Sequence, residues 1–460
     1  MCLTPSAPTV PRGGGRRPPR SDARSERTAH AHRSCGGPAG RAAVGARSEL
    51  AAAGNGGGAR VADLVDGGAA VPLSLDGHVV VTGAQTPAGR ALARRLAAAG
   101  AVVVALEDSP GAPAARVEDD HESPADDDGA HRPLRVAVDL TAPDVLPAMS
   151  GGPAGAPVVT GAPAAVVHVA LDSDLRAALA APAARRRERA EASVRAVVTA
   201  AAAAGSGRLV LVSSAMVHGA LPDAPVPLPD DAPLLAAPDD GLVGDLLAVE
   251  DVWERAARAL PGVPTAVLRP AAVVGPGVDT VVTRSFEVPR LLALRERAPV
   301  WQFCHVDDLA DAVAVVLAEG LSGALGAGAE GVLPHEALER SSGLRSVELP
   351  ARLAHATAER LARLGLLPTP AGDLAYVVHP WAVSSERLRA AGWRPARTNE
   401  ECLAVLLEGV AERRSGRRSA AGGPRLPREA ALGAAGAAGA AVAVVATAAV
   451  LRQARSRRGR

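Results

Sequence analysis

The sequence predicts an α/β fold with a parallel sheet, and three observations carry the prediction. From residue 77 onward, short apolar runs alternate with Ala-rich helical stretches. The first run enters its helix through a glycine-bearing turn, and the second closes on two acids, Glu107 and Asp108. Runs at 78–81, 101–106, 134–138, 164–169, 208–212 and 265–268 read as strands; 89–99, 185–204, 243–259 and 306–318 read as helices. Strands that alternate with helices imply βαβ crossovers, and so parallel pairing.

The first unit is the most informative. Its strand ends at Thr82-Gly83, its helix begins near Pro87, and Gly83-Ala84-Gln85-Thr86-Pro87-Ala88-Gly89 joins them. A glycine turn at a helix N-terminus presents unpaired N–H groups and the positive end of the helix dipole to a pyrophosphate. An acid closing the second strand, here Glu107, takes adenosine ribose hydroxyls, which favours NAD over NADP. Strand, turn, helix, strand and acid in this order predict a Rossmann-like dinucleotide site. The third strand ends at Asp139-Leu140, the fourth at Val169-Ala170, and the fifth runs into Ser213-Ser214. Two insertions, 109–131 with its acidic clusters and the Gly/Pro-rich 151–163, read as solvated loops.

Composition narrows the function classes. Hydrophobic residues make up 48% and aromatics 2%, so Ala, Val and Leu must build the core. A net charge of +1 with no long basic stripe argues against a nucleic-acid partner. The four cysteines, Cys2, Cys35, Cys304 and Cys402, show neither zinc spacing nor a disulfide framework, so no metal is expected and a reducing cytoplasm is. The chain contains no lysine and one tyrosine, Tyr376.

The two ends differ in kind from the middle. Residues 1–70 are rich in Gly, Pro, Ser and Arg without periodicity, the composition of a disordered low-complexity segment. A basic linker, 411–429, leads to an uncharged Ala/Gly/Val run at 430–451, which at about 1.5 Å per residue is long enough to cross a bilayer. Arginines flank it on both sides. It reads either as a transmembrane tail anchor on the cytoplasmic face or as a soluble Ala-rich tail helix, since alanine is near neutral for insertion.

Several later segments sharpen the reading. They are Leu209–Gly219, Leu268-Arg269-Pro270 followed by Gly275-Pro276-Gly277, His305-Val306-Asp307-Asp308-Leu309-Ala310, and the stretch from Ser385 to Pro395. In this order they resemble the extended short-chain dehydrogenase/reductases of the NAD-dependent epimerase/dehydratase type, over about residues 76 to 410. The resemblance implies a doubly wound sheet at 76–277 that binds NAD(P). A smaller C-terminal substrate-side region, 278–410, would complete the fold and close over a nucleotide sugar or related molecule. It also implies pairing into a homodimer. By position, Thr82, Gly83 and Gly89 would line the pyrophosphate and Glu107 the ribose. Asp139 and Leu140 would lie beside the adenine, Ala170 beside the nicotinamide-side ribose, and Ser214 near the reacting carbon. The family's middle glycine is Thr86 here, and a side chain there crowds the approach to phosphate. Arg269 is a candidate substrate contact.

One departure matters more. The family transfers protons through a Tyr-x-x-x-Lys dyad on one helix face, in which lysine lowers the tyrosine pKa. Aligned through Glu250, the dyad positions hold Leu242 and Leu246. Leucine cannot exchange a proton. Asp240 or Asp245 could supply an acid beside Ser214, whereas His168, His218 and His305 read as structural. The leading expectation is a dinucleotide-binding protein without the standard redox catalysis, serving as sensor, scaffold or partner. The alternative is a divergent epimerase, dehydratase or reductase acting through Ser214.

Overall fold

In the computed structural model, the described residues are 73–420 apart from 113–114, 118–131, 151, 153–157, 288–289, 296–298, 351–372 and 374. Eight strands form the main sheet: β1 (Val79–Thr82), β2 (Val103–Asp108), β3 (Arg116–Val117), β4 (Leu134–Val138), β5 (Ala165–Val169), β6 (Leu209–Val212), β7 (Thr265–Pro270) and β12 (Gly323–Ala327). Their order is β12-β7-β6-β5-β1-β2-β4-β3. All pairings are parallel except that of the short edge strand β3 with β4. Strand order reverses at β1, which pairs with β2 on one side and β5 on the other. In an open α/β sheet such a reversal leaves a crevice at the carboxyl ends of the strands.

Strand alternation sorts side chains between two layers. Val79, Val81, Val103 and Ala105 face one core, built with α1 (Pro87–Ala98) and α7 (Val306–Ala318). Val80, Val104 and Leu106 face the other, built with α2 (Val145–Ala148), α4 (Ala183–Ala203) and α5 (Leu242–Arg258). Both faces are therefore covered, which is why the strands are nearly all apolar rather than alternating. Strands and helices read from the sequence fall within a few residues of these bounds. Two main-sheet strands were not foreseen: β3, a two-residue edge strand inside the 109–131 insertion read as a loop, and β12, Gly-Ala-Leu-Gly-Ala, which has no β-branched residue and forms through its pairing with β7.

Between β5 and α4 lies the one-turn α3 (Leu175–Ala178). Beyond β7 come β8 (Ala272–Val274), α6 (Val281–Arg284), β9 (Arg290–Leu294), β10 (Val300–Trp301) and β11 (Phe303–His305). After β12 follow β13 (Leu333–Pro334), α8 (His335–Ser342), β14 (Arg345–Leu349), α9 (Ala375–Val378), α10 (Glu386–Ala390) and α11 (Asn399–Ala420). These build three two-stranded sheets and a third core around Phe286, Trp301, Phe303 and Trp381. Two of the resembling segments lock together here. The Trp393 indole N–H donates to the Asp308 carbonyl at 3.0 Å, and the Asp308 carboxylate accepts the Ala396 N–H at 2.8 Å. His305 caps α7, its side chain accepting the Asp307 N–H.

The N-terminal segment 1–70 and the 430–451 run lie outside the described residues. Among those described, no helix is long and apolar enough to cross a membrane.

Candidate functional site

The crevice at the strand reversal is a cleft of about 920 Å³, within the range of small-molecule and cofactor sites. Its floor is the turn after β1. Gly83 has φ +78°, and a Cβ there would lie 2.6 Å from the Val169 carbonyl oxygen. A Cβ on Gly89 would lie 2.1 Å from the Gly83 carbonyl oxygen. Both positions therefore require glycine, one for backbone conformation and one for close helix–strand approach.

Thr86 solves the turn differently from a glycine. It is the extended N-cap of α1; its hydroxyl accepts the Gly89 N–H at 3.1 Å and donates to the Gly83 carbonyl at 2.9 Å. Pro87 has no N–H to offer, and the Ala88 N–H is taken by the Ser173 hydroxyl at 3.0 Å. The dipole end of α1 still faces the cleft, but its first donors are satisfied internally. Ser173 is a participant that the sequence did not announce, since it stands 85 residues from its partner.

At the end of β2 the structure corrects one residue. Glu107 falls on the α1 side of β2, where Arg135 holds its carboxylate in a two-pronged pair at 2.8 and 3.1 Å. Of the two, Asp108, on the α4 side, lines the cleft. Arg189 of α4 grips it at 2.6 and 3.1 Å and also reaches Asp139 at 3.0 Å. Burial pushes the Asp139 carboxyl up, but the N–H groups of Gly111 and Thr141, the Thr141 hydroxyl and Arg189 outweigh it and hold it well below the usual range. Leu140 lines the cleft, and its N–H donates to Asp108 at 3.1 Å.

At the other end, Ala170 and His168 line the cleft. The Thr82 hydroxyl lies beneath, 2.7 Å from His168 Nδ1, and burial lowers the His168 pKa to about 4. This histidine is neutral at ordinary pH and bonded, as a structural residue would be.

Beyond lies a second, smaller cavity of about 40 Å³. Leu242, Leu246 and Ser214 line it together, with Leu171 and Trp381. The Ser214 hydroxyl accepts the Met216 N–H at 3.3 Å, capping the following turn. Of the acids named from sequence, Asp245 is buried and gripped by Arg186 and Arg187, while Asp240 is 83% exposed. Tyr376 is no substitute for the family tyrosine. Its hydroxyl donates to the Met216 carbonyl at 2.8 Å, and burial with Asp373 and Asp239 nearby pushes its pKa up rather than down. His218 is buried, its Nδ1 3.2 Å from the Pro233 carbonyl.

Arg269 is also corrected. Its guanidinium is paired with Glu250 at 2.7 Å, both side chains buried, and it does not line the cavity. It ties β7 to α5 instead.

Asp172 was missed altogether. Among the described residues it alone lines both the cleft and the apolar cavity. No described residue donates a hydrogen bond to its carboxyl, and burial pushes its pKa up to about 6; Arg186 opposes the rise, while Asp245 and Asp174 add to it. No residue-level motif marks it, because the two cavities meet only in the folded chain.

Known proteins place this architecture. The computed fold is similar to the Thermus thermophilus UDP-glucose 4-epimerase solved with NAD: TM-score 0.51, 19% identity, 73% of this chain and 99% of that one. A dTDP-glucose 4,6-dehydratase from Streptomyces venezuelae, also solved with NAD, gives a TM-score of 0.51 at 20% identity over 74% and 98%. At such identities the likeness is one of fold. An uncharacterized protein of Mycobacterium tuberculosis is 28% identical over 143 residues, 31% of this chain. The chain spans only 38% of that relative's length. The sequence pattern of the NAD dependent epimerase/dehydratase family matches residues 79–326, more than half of the 460. On that match, this chain belongs to the NAD dependent epimerase/dehydratase family.

Proposed function

We propose that the chain binds NAD in the cleft at the strand reversal and does not perform the family's Tyr/Lys proton transfer. It would serve as a sensor, scaffold or binding partner. One observation carries the reading: the dyad positions hold Leu242 and Leu246, and both line an apolar cavity beside Ser214. General acid–base transfer contributes about 10²- to 10⁴-fold to such reactions, so its loss is decisive for turnover. In this reading the turn from Gly83 to Gly89 receives the pyrophosphate, Asp108 and Leu140 the adenosine, and Ala170 and Asp172 the nicotinamide half. When bound, NAD supplies hydride chemistry; the chain's own residues bind and orient it.

The divergent-enzyme alternative has less support. Asp245 is taken by two guanidinium groups, Asp240 faces solvent, and the Ser214 hydroxyl caps a turn. The test is incubation of the full chain with NAD⁺ and UDP- and dTDP-sugars, of the kind named for the epimerase and dehydratase that share the fold. The expected result is no product and no change in nicotinamide absorbance. Turnover that disappears in Ser214→Ala would overturn the proposal.

A further inference from the structure

Asp172 follows β5, just past Ala170, and lines both the cleft and the apolar cavity. Resting on the reading of the cleft as an NAD site, its position along the cleft can be derived from strand order. The adenosine half lies over β2 and β4, where Asp108 and Leu140 line the cleft, and the pyrophosphate lies at the turn after β1. The nicotinamide half must therefore lie over β5, on the far side of the reversal. We propose that Asp172 makes the cleft selective for the oxidised dinucleotide, because its carboxylate faces the half that carries a positive ring in NAD⁺ and an uncharged ring in NADH.

The two forms share the same pyrophosphate, so the repulsion between that group and an ionised Asp172 cancels in the ratio of their affinities. What remains is the attraction between a carboxylate and the cationic ring. The carboxylate is available for it, since no described residue bonds to it.

The surroundings let the effect be assigned. Arg186 of α4, Asp245 of α5 and Asp174 ahead of α3 act on Asp172 directly, Arg185 and Glu188 of α4 share its cleft, and Asp373 shares the apolar cavity. Asp245 is gripped by Arg186 and by Arg187, the next residue of α4. His168, the nearby histidine on the cleft, stays uncharged because burial lowers its pKa. Asp172, pushed up by burial, changes charge near pH 6. The attraction fades as pH falls below that value and becomes complete as pH rises above it.

The experiment is calorimetric titration of the full chain with NAD⁺ and with NADH, at about pH 5 and about pH 8. The ratio of affinities in favour of NAD⁺ should rise about fivefold between the two, since one charge pair in a partly solvated site contributes about tenfold and about a tenth of the carboxylate is still ionised at the lower pH. Asp172→Asn should hold the ratio flat and low. A pH-independent ratio in the unmodified chain overturns the proposal, as does a rise that survives in Asp172→Asn. If the variant does not fold, the unmodified chain's ratio alone decides. Binding of both forms with no pH effect refutes this inference and leaves the NAD site standing. Binding of neither form refutes both.

Discussion

Thr86→Gly restores the family's middle glycine, and the structure says what that should do. Thr86 contributes its hydroxyl to the Gly89 N–H and the Gly83 carbonyl. Glycine is nearly as good an N-cap as threonine, so the stability loss should be a few tenths of a kcal/mol, roughly 0.5 at most. In exchange the Gly89 N–H, in the first turn of α1, loses its partner and can donate to a pyrophosphate. A hydrogen bond to a charged group contributes about 1.5–3 kcal/mol, whereas the neutral bond to Thr86 that it replaces contributes about 1. The difference, about 1 kcal/mol, corresponds to roughly fivefold tighter binding. Calorimetric titration of both proteins with NADH, alongside thermal melts, gives the comparison. Equal or weaker binding in the glycine variant, with the fold intact, would show that the α1 N-terminus is not where the pyrophosphate sits.

Further predictions concern stability and the tail. Breaking the Arg269–Glu250 pair by Arg269→Met should cost about 3–5 kcal/mol in chemical denaturation, while the double change with Glu250→Leu should recover most of it; a cost under about 1 kcal/mol would argue that Arg269 is not structural. His168 has a folded pKa near 4, below the ordinary histidine value, so its contribution to stability is complete above about pH 6.5 and is lost as pH falls toward 4. The loss should reach up to about 3 kcal/mol, and His168→Gln should remove that part of the slope; an unchanged slope would contradict it. Deleting 429–460 should move the protein from the membrane to the soluble fraction if the 430–451 run is an anchor, and no redistribution would end that idea.

The sheet was legible because its signals are local. Each core strand is a short apolar run, and the turn from Gly83 to Gly89 states its own chemistry through two glycines that steric contact demands. The site was legible only where it repeats that local grammar. Glu107 and Asp108 are adjacent acids at a strand end, and which of them faces the cleft depends on strand phase, fixed by whether Val104 and Leu106 or Val103 and Ala105 face α4. Arg269 pairs with a helix residue 19 positions away, and Ser173 with one 85 positions away, so neither role has a local mark. Asp172 looks like an ordinary loop acid until two cavities are seen to meet at it.

Loss of the dyad and retention of the cleft together form the central claim, and cofactor binding tests it most directly. The full chain should be titrated with NADH, with NADPH as comparator. NADH should bind in the micromolar range and more tightly than NADPH, since Asp108, an acid on the cleft at the end of β2, would repel a 2′-phosphate. Binding of neither would contradict the account, leaving a family fold without its cofactor.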